Sequence, residues 1–257
     1  NPALGVFRSI EEFRQTATRA KEIPSLEAGF RRLYLNQWVN SDVAWMNMSK
    51  WHLCNDFIPE TELLGKECYC GIDLSATTDL TSVNLEFRLD DGRYVMLSHS
   101  FMPENRVKEK EKIDRVPYSV WIKQGYITAT PGDVIDYEFV KAYIRTAAIK
   151  FVIKEICFDP WNSTQLANDL ENEGFVMVAV RQGYATLSEP TKDILSLVYQ
   201  KRIVHNQNPV LTWAISNCIT RQDPNGNIAL DKAKSKNRID PAAAMVNSHS
   251  RARMLDT

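Results

Sequence analysis

The chain reads as an α/β protein built on a mixed sheet, three antiparallel strands followed by parallel ones, with helices on both faces. Three observations predict this. Residues 66–101 hold three apolar runs in succession, the last two separated by Asp91-Gly92, a hairpin signal. Two further apolar runs, 152–158 and 175–180, flank a helical stretch, which is the β-helix-β pattern of parallel strands. Hydrophobic content of 44% and charged content of 25% are ordinary for a globular chain, and 257 residues allow one large domain or one domain with an extension.

Residues 1–65 read as a helical linker or arm, and residues 66–257 as the α/β domain. Residues 10–21 form an amphipathic pattern, with Ser9 as N-cap and Glu12 completing a capping box. Ile23-Pro24 ends it. Residues 26–39 read as a second helix that clusters Phe30, Leu33, Leu35 and Trp38. Trp45, Met46, Met48, Trp51 and Leu53 follow with weak periodicity, and they read as an arm packing on a domain rather than as domain core. Pro59 and Gly65 close this part.

The first strand is 68–75. Cys68, Cys70, Ile72 and Leu74 alternate with Tyr69, Gly71 and Asp73, so both faces are largely apolar and the strand is expected to be buried on both sides. Strands at 81–87 and 94–101 complete an antiparallel meander. A charged helix over 104–114, a short helix over 118–123 and an edge strand at 126–130 come next, the strand stopped by Pro131-Gly132. Asp136 caps a helix to about 150 with Phe139, Tyr143, Ile144 and Ala147 on one stripe. The helix between the two parallel strands spans 163–173 and stops at Gly174. The remainder is mostly helical, at 188–200 and 209–220. A turn at Pro224-Asn225-Gly226 then precedes an extended segment, 228–236, and a last helix starts at Asp240-Pro241.

Net charge is −1, so any nucleic-acid contact needs a local basic patch. No apolar run is long enough to span a bilayer, and no membrane role is expected. The chain begins at Asn1 without a signal-peptide pattern, which fits a fragment of a longer protein. Cys54, Cys68, Cys70, Cys157 and Cys218 are odd in number and lack CxxC spacing, which fits a reducing cytosol. Cys68 and Cys70 read as core rather than zinc ligands. The four histidines have no metal-like spacing and receive no role.

Three acids carry the chemical signal. Asp73 ends a doubly buried strand, where a carboxylate is costly unless paired, and a divalent metal is one such partner. A strand-end Asp that caps the next turn is the plain alternative. Asp159 stands where the 152–158 strand stops, the usual place for ligands in an α/β sheet, and an Asp before Pro is also a common turn. Asp240 followed by Pro241 is explained structurally as an N-cap with Pro at the first helical position. Two adjacent strand ends and one helix start would gather three carboxylates that repel unless metal occupies them. Oxygen-only ligands suit magnesium or manganese. Asp79 is a fourth ligand or a turn residue, and Glu155 a weaker candidate. Lys232, Lys234 and Lys236 alternate, and Arg238 continues the series. In an extended segment they would form a comb for a phosphate backbone, or a lysine-guarded edge strand. Arg181, Gln182 and Gly183 follow the last core strand and suit the same contact.

The ordered series Gly71-Ile72-Asp73-Leu74-Ser75, Phe158-Asp159-Pro160-Trp161 and Arg181-Gln182-Gly183 resembles the large terminase subunit of tailed bacteriophages. So do Asn208-Pro209-Val210-Leu211-Thr212-Trp213, Asp223 with Gly226-Asn227, the lysines, and Ile239-Asp240-Pro241-Ala242-Ala243. The resemblance covers residues 66–257. Residues 30–38 look like the segment after that family's ATPase domain. It implies a ribonuclease H-like nuclease domain that cuts concatemeric double-stranded DNA during genome packaging, by two-metal hydrolysis with two Mg²⁺ or Mn²⁺ ions. Asp73, Asp159 and Asp240 map onto the family's metal-binding acids, with Asp79 as a further acid, and Asp73 as the bridging carboxylate. Implied partners are DNA, the ATPase domain of the full-length protein, the small terminase subunit and the capsid portal, in the host bacterial cytoplasm at the assembling capsid. No GxxxxGK[ST] loop occurs, so the motor is expected to be missing from this chain. Two rival readings remain: an actin-like or sugar-kinase ATP-binding domain, which opens with a similar Gly-Ile-Asp-Leu strand, and a non-catalytic DNA- or capsid-docking module. Only 10 glycines, none clustered, weigh against the first.

Overall fold

The computed structural model describes residues 9–22, 26, 27, 30, 31, 34, 35, 43–74, 80–161, 163–235 and 237–256. Helix α1 (Ile10–Glu22) starts as its cap residues dictate, the Glu12 amide donating to Ser9 Oγ at 3.3 Å. Most of the helix expected over 26–39 lies outside the described residues. Strand β1 (Val43–Ala44) and helix α2 (Met48–Trp51) come next. Trp45, Met46, Trp51 and Cys54 are buried in a main apolar cluster, so this stretch packs as core rather than on top of it.

The meander forms as its alternation predicts, as β2 (Glu67–Asp73), β3 (Thr81–Arg88) and β4 (Tyr94–Pro103). After α3 (Val107–Asp114) and α4 (Tyr118–Lys123), β5 (Ile127–Thr130) lies parallel to β4 at the sheet edge. Helix α5 (Tyr137–Lys150) is capped by Asp136, whose carboxylate accepts the Glu138 amide at 2.9 Å. β6 (Val152–Phe158), α6 (Thr164–Asn172) and β7 (Met177–Ala179) follow, with both strands parallel to β2. The strand order is β5-β4-β3-β2-β6-β7, with β8 (Ile203–Val204) beside the other end of β4.

β2 is central and buried on both faces. Cys68, Cys70 and Ile72 pack with α5 and α6, while Tyr69 faces the second cluster, formed with α7 (Tyr184–Tyr199), α8 (Pro209–Asn217) and α9 (Asp240–Ala252). Helices therefore cover both faces, as expected. All five cysteines are buried free thiols.

Three expectations change. The helix expected over 188–200 begins earlier, at Tyr184, with Pro190 in its second turn. The helix expected over 209–220 stops at Asn217, because the chain turns into β9 (Ile219–Gln222), which pairs with β1 and with β10 (Ile228–Leu230). The extended segment expected over 228–236 ends at Leu230. Asp231 turns the chain, its Oδ1 accepting the Ala233 and Lys234 amides at 3.1 and 3.2 Å. The lysine comb is therefore not a straight strand face.

Candidate active site

β2 and β6 run parallel with Ile72 opposite Phe158, so Asp73 and Asp159 emerge at the same end of the sheet. Helix α9 lies directly across β2. A Cβ on Gly71 would stand 2.0 Å from the Ala244 carbonyl oxygen and 2.5 Å from the Ser248 nitrogen, so only glycine admits this approach. Asn247 donates to the Ile72 carbonyl at 2.9 Å, and Gln182 donates to Asn247 Oδ1 at 3.3 Å. These contacts bring the helix start beside the strand end. Asp240 is the first helical residue and Ile239 the N-cap position, which corrects the N-cap reading of Asp240.

Lys232 joins two of the acids. Its Nζ donates to Asp73 Oδ1 and Oδ2 at 2.9 and 2.7 Å and lies 3.6 Å from Asp240 Oδ1. Asp73 and Asp240 are both buried. Burial pushes the Asp73 carboxyl above its usual range, against the pull of Lys232, and the neighbouring Asp159 adds to the rise. Burial lowers the Lys232 ammonium, but Asp73, Asp240 and Asp159 outweigh it and hold the group above the ordinary lysine range. Asp159 lines a cavity of about 380 Å³ together with Gln182, Arg221, Asp231, Lys232 and Asn247. One Asp159 oxygen also accepts the Trp161 amide at 3.1 Å, the turn contact expected of an Asp before Pro.

Among the described residues, no three His, Cys, Asp or Glu side chains converge as a ready metal-binding cluster. The donor set still fits a hard divalent cation: it is all carboxylate oxygen, and a cationic nitrogen already rests on it. Asp79 and Lys236 lie outside the described residues. Lys234 is exposed on the turn after Asp231, and Arg181 is exposed in the loop after β7. Arg238 does not continue a comb. Its Nε donates to Asp114 Oδ2 at 3.2 Å, beside the Tyr118 hydroxyl on the same oxygen at 2.8 Å. Glu155 is held in a two-pronged pair with Arg251 at 2.6 and 2.8 Å, a structural role.

Sequence reasoning missed a buried chain of charge under α9. Both His249 ring nitrogens donate, to Glu86 Oε1 at 2.6 Å and to Asp193 Oδ2 at 2.9 Å. Ser248 donates to Glu86 Oε2 at 2.7 Å and accepts from Asn84 at 2.9 Å. The available signal was a histidine inside the helix that begins Ala242-Ala243-Ala244-Met245-Val246, facing a strand that carries Glu86.

A family model described as terminase large subunit, endonuclease domain, matches residues 1–256. The chain is 35% identical over 250 residues to the terminase large subunit of Enterobacteria phage HK97, covering 96% of this chain and 49% of that protein. It is 27% identical over 267 residues to protein YmfN of Escherichia coli strain K12, covering 100% of this chain and 59% of that protein. The crystal structure of the HK97 bacteriophage large terminase superimposes with a TM-score of 0.76 at 34% identity, over 97% of this chain and 52% of that one. The chain thus spans about half the length of the HK97 relative. With its ribonuclease H-like mixed sheet and these matches, the chain belongs to the terminase large subunit endonuclease-domain family.

Proposed function

We propose that this chain is a metal-dependent endonuclease that cuts concatemeric double-stranded DNA during viral genome packaging. Asp73, Asp159 and Asp240 are its acids, with Asp79 as a fourth ligand, and two magnesium or manganese ions its cofactors. The observation that carries this reading is the cation-holding acid pair at the sheet end: Lys232 Nζ on both Asp73 oxygens and 3.6 Å from Asp240, with Asp159 on the wall of the same cavity.

Bound ions would supply a water of lowered pKa and positive charge for the leaving 3′ oxygen. The chain's own residues supply position. Asp73 engages a cation through both oxygens, which supports it as the carboxylate shared between two ions. Its burial makes the ionised form depend on a cation beside it. Asp240 enters from the helix start, where the helix dipole favours a negative charge. Gln182 and Arg221 line the cavity beside Asp159 and are placed to meet a phosphate backbone. Lys234 and Arg181, both exposed, belong to the same outer contact. In the full-length protein the partners would be the ATPase domain, the small terminase subunit and the portal, in the host cytoplasm at the assembling capsid.

Digestion of supercoiled plasmid with Mg²⁺, Mn²⁺ or EDTA tests this. The wild type should nick and linearise only with metal. Asp73→Asn should lose at least ~100-fold in rate while still binding DNA, the scale set by loss of charge stabilisation at the reacting centre. Cutting that survives both EDTA and Asp73→Asn sinks the assignment.

A further inference from the structure

Lys232 stands in an unusual place. Its ammonium points into the protein's acids and touches both oxygens of Asp73. We propose that Lys232 is a built-in counter-ion: it holds Asp73 and Asp240 together in the metal-free protein and competes with divalent cations for the same carboxylates. This rests on the reading of those acids as metal ligands.

Two observations and two physical arguments carry it. Asp73 and Asp240 are both buried, and two carboxylates ionised there repel unless a positive group lies between them. Lys232 supplies that partner at 2.7 Å from one acid and 3.6 Å from the other. A lysine ammonium is a compact point charge, closer to an ion than a planar guanidinium is. An ammonium and a divalent ion on the same Asp73 oxygens would be near enough to repel strongly, so occupancy by one excludes the other.

The carrier of the lysine also suits exchange. The side chain is 53% exposed although its head is engaged, so it is not locked by packing. It sits on the short turn after β10, which the Asp231 cap holds in place. It lines the same cavity as Asp159 and Arg221. An ammonium displaced from Asp73 therefore swings into the space where a phosphate backbone would lie. The same residue would then neutralise the acids before metal binds and the substrate afterwards, as a positioning residue whose partner changes.

The test is calorimetric titration of Mn²⁺ into the full chain without DNA, for wild type, Lys232→Ala, Lys232→Met and Asp73→Asn. Thermal unfolding in EDTA and in saturating Mn²⁺ accompanies it. The expected result is Mn²⁺ binding at least ten-fold tighter in both lysine variants. Both should also melt several degrees below wild type in EDTA, and the gap should close when Mn²⁺ is added. A merely structural lysine would lower the melting temperature equally with and without metal, and that outcome overturns the proposal. Mn²⁺ affinity that is unchanged or weaker in the lysine variants, yet lost in Asp73→Asn, overturns the counter-ion role and leaves the metal site standing. No Mn²⁺ binding by any of the folded proteins overturns both. Lys232→Met keeps the aliphatic stem, so it reads out the charge if Lys232→Ala folds poorly.

Discussion

His249 is fully enclosed between Glu86 and Asp193, with the Tyr94 ring edge-on at 5.3 Å and Arg253 at 3.8 Å from Asp193. Burial disfavours the charged ring, but the two carboxylates outweigh it and hold its pKa at about 9, above its ordinary 6.5. A raised folded-state pKa stabilises below the unfolded value and is lost as pH climbs through the folded one. Unfolding free energy should therefore fall between pH 6.5 and 9 by roughly 3 kcal/mol from this group. Urea unfolding across that range checks it: in His249→Gln the fall should shrink, and parallel curves for the two proteins would refute it. At this scale, part of the site was legible. Asp73 at a strand end, Asp159 at the next strand end and Asp240 at a helix start all follow from local pattern. The reach of Lys232 back to Asp73, and the pairing of His249 with Glu86, join residues far apart in the chain. No local periodicity encodes such pairs.

Gly71 decides how two elements meet. Its missing Cβ lets the α9 backbone lie on β2, and every residue of α9 except Arg251 is buried. Gly71→Ala forces backbone against backbone, not a flexible side-chain tip, so the helix must shift. Expected are a loss of at least ~1–3 kcal/mol in unfolding free energy and weaker Mn²⁺ binding, because Asp240 moves with the helix. Wild-type Mn²⁺ affinity in a folded Gly71→Ala would show that the strand–helix contact does not set the site. Elements with strong internal signals were legible: the β2–β4 meander, α5 with its Asp136 cap, and the β6–α6–β7 unit. The short strands β1, β8 and β9 were not, since two to four residues carry no period and form only because a partner edge is near. The lysine segment misled because its alternation matched a strand, whereas Asp231 made a turn.

At the scale of the molecule, residues 43–54 belong to the α7–α8–α9 side of the core. Trp45 is fully buried and its indole N–H donates to the Thr191 carbonyl at 3.3 Å, while Trp51 donates to Thr212 and stacks on His205 at 4.3 Å. Trp45→Ala should cost about 3–5 kcal/mol, read by chemical denaturation. A cost below ~1 kcal/mol would mean that this stretch is a detachable arm. With a net charge of −1, the proposed binding to DNA would rest on local cations, so affinity should fall steeply with salt. Removing Lys234 or Arg181 should each lower the slope of log affinity against log salt by roughly 0.9, and an unchanged slope excludes that residue from phosphate contact.

The layering of α9 across β2 has a consequence in time. Asp73 is made early and Asp240 late, and translation at 5–20 residues per second separates them by roughly ten to thirty seconds. During that interval the nascent polypeptide carries a strand with its acid but no helix to face it. The halves of the site exist in sequence before they exist together. If the proposed function holds, a cutting activity hazardous to the cell's own genome would thus stay divided until α9 has left the ribosome.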